Sequence, residues 1–138
     1  MLLERLDAEL QETGGIPLSH YEAMAQLSAA PGLRLRMRDL AERALVSRSR
    51  LTHTVDRLER AGLVSRQRCP TDRRGTYAVL TRAGRRTLVR AAPGYVAGVQ
   101  RHFVSQASAP ELRSLTTLCE RMVRSLSDTG QAGGQQVG

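Results

Sequence analysis

The chain has 138 residues, a formal net charge of +8 and only 3% aromatic residues, which predicts one domain and argues against a protein that stacks nucleic-acid bases on aromatic rings. Its two cysteines cannot by themselves form a disulfide framework or a four-ligand zinc site. No apolar run approaches the roughly 20 residues of a membrane span and the first residues are unlike a secretion signal, so a cytoplasmic location is expected.

Helical patterns occupy the first third of the chain. Leucines at helical spacing predict a helix over residues 1–13, which ends at Gly14 and Gly15. The segment from Ser19 to Glu22 has the form of a capping box, in which a serine and a glutamate satisfy each other's backbone amides, and it predicts a helix through Leu27. A short helix is expected over residues 38–45, and its inward residues are Leu40, Ala41 and Ala44.

The middle of the chain changes from a helical pattern to a strand pattern. Ser47 is a candidate N-cap for a helix over residues 48–61, which Gly62 ends. Residues 64–68 and 76–80 are strand candidates, and the turn-rich segment between them predicts a β-hairpin with a charged tip.

The last third is again helical. A long helix is expected from Arg82 to about Gln106, with a kink or break at Pro93. A second capping box, Ser108 to Glu111, predicts a helix to about Ser127. The remaining residues, 128–138, are rich in glycine and glutamine and are expected to be disordered.

Positive charge is concentrated in the middle of the sequence. Residues 34–90 hold 16 arginines and five acidic residues, whereas the remainder carries a net charge of −3. This asymmetry favours a nucleic-acid-facing module on a nearly neutral scaffold, and solvated arginines on helix surfaces are the alternative. The chain contains no lysine, which first of all indicates GC-rich codons.

A short helix, a tight turn, a second helix and a hairpin follow one another in the order of a winged helix-turn-helix. In helix 48–61 the apolar residues Leu51, Val55 and Leu58 share one face. The opposite face is polar, and Asp56 and Arg60 are among the residues that point outward from it. A helix with such a face has the size to enter a major groove. The predicted DNA-binding residues of this helix are Ser47, Arg48, Ser49, Arg50, Thr52, His53 and Arg57.

The stretch RMRDLAERALVSRSRLTHTVDRLERAGLVSRQRCPTDRRGTYAVLT resembles the MarR family of bacterial transcriptional regulators, and the resemblance extends over about residues 1–127. It implies a homodimer that binds a pseudo-palindromic operator on double-stranded DNA, as a repressor released by a small phenolic or anionic effector. It also implies that the hairpin of residues 64–80 is the wing of the fold, that Asp72 braces this wing through Arg74, and that Arg73 or Arg74 enters the minor groove. The sequence does not decide which of these two arginines does so.

The predicted fold class is mainly α, with a winged helix-turn-helix region over residues 18–81 and a dimerisation region formed by residues 1–13 and 82–127. The first helix is shorter than is usual in the family, which leaves its share of the dimer interface open. The predicted interface consists of apolar residues at helical seam spacing in both terminal helices: Leu3, Leu6, Leu10, Leu112, Leu115, Cys119, Met122 and Leu126.

Three other functions are alternatives. An enzyme is disfavoured because the sequence has no glycine-rich phosphate loop, paired carboxylates or nucleophile–base pair, so no catalytic residue, metal site or cofactor is expected. An architectural protein could bind nucleic acid without sequence preference. A thiol-based redox regulator could use Cys69, which lies among arginines that would lower its pKa.

Overall fold

The structure is a computed structural model that describes residues 1–72 and 75–132, with the backbone alone for residues 128–132. Two compact units divide the chain, one spanning Met1–Gly98 and the other beginning at Val99. Within the described ranges, no helix has the length and apolar character needed to cross a membrane.

The fold is mainly helical. Two short 3-10 turns, Pro31–Leu33 and Val104–Gln106, separate longer elements. In chain order the elements are α1 (Leu2–Gly14), α2 (Leu18–Ala29), β1 (Arg34–Arg36), α3 (Met37–Arg43), α4 (Arg48–Arg60), β2 (Val64–Arg68), β3 (Thr76–Leu80), α5 (Arg82–His102) and α6 (Ala109–Ala132).

A three-stranded antiparallel sheet in the order β1-β3-β2 carries the hairpin. The bounds of β2 and β3 confirm the prediction, and their register pairs Val64 with Leu80 and Arg68 with Thr76. The sequence did not predict β1, because three residues are too few to show a strand period. Its central residue, Leu35, is buried and pairs with Ala78 of β3.

The core of the first unit lies beneath α4. The three apolar residues predicted to point inward from this helix are 0–2% exposed, which confirms the predicted orientation. Leu40 and Ala41 of α3 are also buried, whereas Ala44 is half-buried and follows the end of that helix. The fully buried large side chains of the unit are Leu10, Met24, Leu27, Leu40, Leu51, Val55, Leu58 and Val64.

Helix α1 packs against α5 between Ala91 and Gly98, because small residues allow a close approach. Gly14 lies against Ala91, and Gly98 lies against Leu6. Leu6 and Leu10 are 7% and 1% exposed within the single chain. Their predicted place in a dimer interface is therefore wrong, since side chains that are already buried offer a partner almost no surface. Leu3 is 64% exposed and remains available.

The predicted capping box at Ser19 is wrong. Helix α2 begins at Leu18 after Pro17, and no side chain of its own first turn caps it. The Leu18 amide instead donates to Asp7 Oδ1 of α1 at 2.7 Å. A carboxylate that is distant in sequence thus takes the role that the local motif predicted for the serine.

Two predictions for the last helices are also corrected. Helix α5 continues through Pro93, so the predicted break is wrong while the kink stays a prediction, and the helix ends at His102 rather than near Gln106. Proline removes the hydrogen bond to the Val89 carbonyl, and both residues are exposed, so water can replace it.

The second capping box is confirmed, because the Ser108 amide donates to Glu111 Oε2 at 2.7 Å. Helix α6 extends to Ala132 rather than ending near Ser127. Extending an existing helix needs no new nucleus. Helix α6 thus includes the first five residues of the predicted tail, whose disorder stays a prediction, and residues 133–138 lie outside the described residues.

The start of α5 depends on a glycine. Thr81 caps the helix by accepting from the Gly84 amide at 3.0 Å, and a Cβ at Gly84 would overlap the Leu63 carbonyl oxygen. We expect Gly84→Ala to lower the free energy of unfolding by about 1–3 kcal/mol, although alanine is intrinsically the better helix former. Urea denaturation followed by circular dichroism measures this change, and an increase in stability would contradict the contact.

Candidate nucleic-acid interface

Helix α4 presents the predicted DNA-binding residues to solvent. Ser47 caps the helix as predicted, with its hydroxyl oxygen accepting from the Arg50 amide at 3.3 Å. The capped helix rests on its buried apolar face, which fixes its rotation and therefore which side chains point outward. All seven predicted residues are exposed: Ser47, Arg48, Ser49, Arg50, Thr52, His53 and Arg57. Their contact with DNA stays a prediction.

The arginines of this surface differ in whether a carboxylate neutralises them. Among the side chains of residues 1–72 and 75–127, no carboxylate lies at ion-pair distance from Arg48 or Arg50. Their positive charges are therefore free to meet phosphates. Arg57 lies near His20 of α2. The pKa of His20 is lowered mainly by burial and to a smaller extent by the charge of Arg57.

Arg66 of β2 joins the wing to α4. Its two terminal nitrogens donate to Glu59 Oε2 at 2.6 Å and to Asp56 Oδ1 at 2.7 Å. Partial burial alone would lower the pKa of Arg66, but the two carboxylate hydrogen bonds raise it above its ordinary value. The outward orientation predicted for Asp56 is corrected, because Asp56 is half-buried and turned toward the wing.

A basic cavity of about 410 Å³ opens between the start of α3, helix α4 and the wing. Thr52 and Leu51 contribute to its α4 wall. Its charged lining consists of Arg36, Arg38, Arg48 and Arg66, with Asp72 as the acidic residue. A concave surface with this charge suits the phosphate backbone of a nucleic acid or a small anion.

The wing is described on both sides of its tip, while Arg73 and Arg74 lie outside the described residues. Asp72, the predicted bracing residue, has Oδ2 3.9 Å from a terminal nitrogen of Arg36. Backbone bonds close the turn, since the Cys69 amide donates to the Gly75 carbonyl at 2.9 Å and the Gly75 amide donates to the Asp72 carbonyl at 3.0 Å. The predicted brace between Asp72 and Arg74 stays a prediction.

Cys69 lies buried at the base of the wing. Its Sγ is 3.4 Å from Thr71 Oγ1 and accepts from a terminal nitrogen of Arg36, also at 3.4 Å. Hydrogen bonds from the Thr71 side chain and backbone, with smaller contributions from Asp72 and Tyr77, lower the pKa of the Cys69 thiol to about 7. The surroundings thus favour the thiolate, although burial restricts access to it.

Helix α6 exposes an apolar face in the single chain. Leu112 is half-buried and Cys119 is exposed. The large side chains of this face are between 44% and 72% exposed: Leu115, Leu118, Met122, Val123 and Leu126. Exposed apolar residues at seam spacing are typical of a face that a partner covers.

Two residues of this surface, Arg36 and Arg66, were missed by the sequence analysis. Each acts through side-chain contacts with residues distant in sequence, and a period or a motif does not reveal such contacts. In the part of the chain that the structure describes, no cluster of histidine, cysteine, aspartate or glutamate could hold a metal ion.

A capped helix with an exposed basic face, held against a three-stranded sheet with a hairpin wing, defines a winged helix-turn-helix protein. The family model described as the MarR family matches residues 14–75. The structure of Sco3205, a MarR family transcriptional regulator from Streptomyces coelicolor in complex with DNA, is 38% identical with a TM-score of 0.82, and the match covers 91% of this chain and 81% of that one. The chain belongs to the MarR family.

Two further relatives have named functions. The homoprotocatechuate degradative operon repressor of Escherichia coli is 35% identical over 85 residues, which are 62% of this chain but only 57% of that repressor's length. The PcaV transcriptional regulator of Streptomyces coelicolor, solved in complex with its natural ligand, is 28% identical with a TM-score of 0.72, and the match covers 90% of this chain and 88% of that one.

The environment of Cys69 makes a prediction about its titration. We expect the thiol to ionise at about pH 7, below the value of about 8.5 for a free cysteine. Thiolate absorbance in the ultraviolet, measured against pH for the wild type and for Cys69→Ser, isolates this group by difference. A difference curve with its midpoint near the free-cysteine value would contradict the hydrogen bonds described here.

Proposed function

We propose that this protein is a sequence-specific, double-stranded DNA-binding transcriptional regulator that acts as a repressor. The observation that carries the proposal is the exposed face of α4, where Arg48 and Arg50 have no carboxylate partner within the described residues. The DNA complex of Sco3205 and the repressor function of the Escherichia coli relative support it.

In the proposed complex α4 enters the major groove, which is about 12 Å wide and admits one helix. Arg50 lies in the first turn, the part of a recognition helix that contacts base edges. An arginine there can donate two hydrogen bonds to guanine. The basic cavity beside α4 faces the adjoining phosphates, and the wing arginines reach the neighbouring minor groove, where a narrow A·T segment attracts arginine.

The proposed DNA-binding form is a homodimer that places two recognition helices on half-sites about one helical turn apart. The exposed apolar face of α6 supports this assembly, because burial of such a face against its own copy removes it from water. Leu3 of α1 remains a candidate for the same interface, whereas Leu6 and Leu10 do not.

We also propose that a small anionic or phenolic ligand regulates binding. The structure of PcaV with its natural ligand supports this at the level of the family. In this chain the basic cavity between α4 and the wing offers positive charge to a small anion. An anion held there would compete with DNA phosphates for Arg48, which lines the cavity and has no carboxylate partner among the described residues.

The assignment of the α4 face can be tested by removing one charge at a time. We expect Arg50→Ala to weaken binding to a duplex selected from random sequences by about 1–3 kcal/mol, the value of a lost base contact. The matched variant Arg113→Ala removes the same charge from exposed α6 and should bind like the wild type. Fluorescence anisotropy titrations measure both affinities, and equal losses would contradict the assignment. A wild-type ratio of specific to non-specific affinity near one would instead favour the architectural alternative.

The proposed dimer makes a separate prediction. We expect Leu115→Arg to be monomeric and to lose DNA affinity, because it places an unpaired charge in the α6 face. Ser114→Arg adds the same charge at the neighbouring exposed position and should remain dimeric. Light scattering coupled to size-exclusion chromatography measures the mass of each variant. A wild-type chain that is monomeric at micromolar concentration would refute the proposed assembly.

A further inference from the structure

Arg36 occupies a position where arginine cannot perform the usual local task. It is the N-cap of α3, with an extended backbone at φ −61° and ψ 145°, and its side chain caps no amide. Good N-cap residues accept a hydrogen bond from the first turn, whereas a guanidinium can only donate. The side chain of Arg36 is therefore directed to other partners.

Those partners lie at the base of the wing. One terminal nitrogen of Arg36 donates to Cys69 Sγ at 3.4 Å, and the other lies 3.9 Å from Asp72 Oδ2. The guanidinium carbon is 5.9 Å from the centre of the Tyr77 ring, and Arg36 and Tyr77 are register partners between β1 and β3. We call Arg36, Cys69, Asp72 and Tyr77 the wing-base cluster.

The wing-base cluster connects the start of α3 to both strands of the hairpin. Cys69 directly follows β2, and Tyr77 is in β3. A two-stranded hairpin is at best marginally stable alone, so its orientation depends on contacts with the rest of the domain. Arg66 supplies one such contact in the middle of β2, and Arg36 supplies another at the wing turn.

We propose that Arg36 is a positioning residue, which sets the placement of the wing relative to α4 and thereby the contribution of the wing to DNA binding. This inference rests on the proposed DNA-binding function. Arg36 is half-buried, and its two terminal nitrogens face a thiol and a carboxylate of the wing. A direct contact with DNA would require those nitrogens to leave their partners, whereas Arg48 and Arg50 are exposed and have no carboxylate partner among the described residues.

A double-mutant cycle distinguishes positioning from direct contact. Arg36→Met keeps a long apolar side chain and removes the charge and every donor. It is measured in the wild type and in a chain with Arg73→Ala and Arg74→Ala, on a duplex selected by the wild type. We expect Arg36→Met to weaken binding about three- to tenfold in the wild type and to have almost no effect when the wing arginines are absent.

The control and the salt dependence complete the test. Arg43→Met removes the same charge from the exposed end of α3 and should have an equal effect in both backgrounds. A phosphate contact by Arg36 would weaken binding equally in both backgrounds and would lower the salt slope by roughly 0.9 in each. That result, or wild-type affinity for Arg36→Met, overturns the inference.

A second variant covers a failure of Arg36→Met to fold, which circular dichroism would reveal. Arg36→Lys keeps the charge, but one ammonium cannot reach the thiol and the carboxylate in the way that a fork does. We expect a smaller loss that again depends on Arg73 and Arg74, and wild-type affinity would overturn the inference. If the wild type itself selects no duplex, the proposed function fails. If the wild type selects a duplex but the loss of affinity caused by the Arg36 variants is the same with and without the wing arginines, only the inference fails.

Discussion

Helix α4 has to bury an apolar face while it carries four arginines, and the rest of the domain is arranged around that requirement. A 13-residue helix of this composition is marginal in water, so tertiary packing must stabilise it. Leu51, Val55 and Leu58 supply the packing, and each fully buried side chain contributes about 1.5–3 kcal/mol. The same burial fixes the rotation of the helix. A shift of one residue would turn Arg50 or Thr52 into the core, so stability and the choice of outward side chains have one cause.

Carboxylates divide the arginines of the surface into two groups. Asp56 and Glu59 lie on α4 itself, yet they bind Arg66 of β2 rather than an arginine of their own helix. Two acidic residues on a DNA-facing helix would repel phosphates if they stood free. Paired with Arg66, they have one of their two negative charges offset, and they hold the wing beside the helix. Of the four arginines of α4, Arg48 and Arg50 lie in its first turn, where a recognition helix contacts base edges.

The parts of the fold that could be predicted from the sequence are those decided by neighbours in sequence. The Ser47 cap, the inward face of α4, the two strands of the hairpin and the Ser108 capping box all depend on residues within a few positions. The failures arose where a distant residue decided the outcome. Asp7 of α1 caps α2 in place of Ser19, Gly98 of α5 accommodates Leu6, and a three-residue strand forms because β3 is available to pair with it. The same holds for the candidate site, where the exposed α4 residues were predicted and Arg36 and Arg66, which join the wing to the helices, were not.

At two positions, the choice of arginine over lysine has a physical reason. All 21 basic residues are arginines, which GC-rich codon usage explains at solvated positions. Arg66 and Arg36, however, each direct two terminal nitrogens at two different side chains, Glu59 with Asp56 and Cys69 with Asp72. A planar fork can meet two acceptors in fixed geometry, whereas an ammonium is a compact point charge. Arg66 joins α4 to the hairpin that would contact the neighbouring groove, and Arg36 joins the start of α3 to the same hairpin. Replacement by lysine at these two positions would therefore keep the charge but lose the simultaneous contact with two side chains. The placement of the wing relative to the helices depends on that double contact.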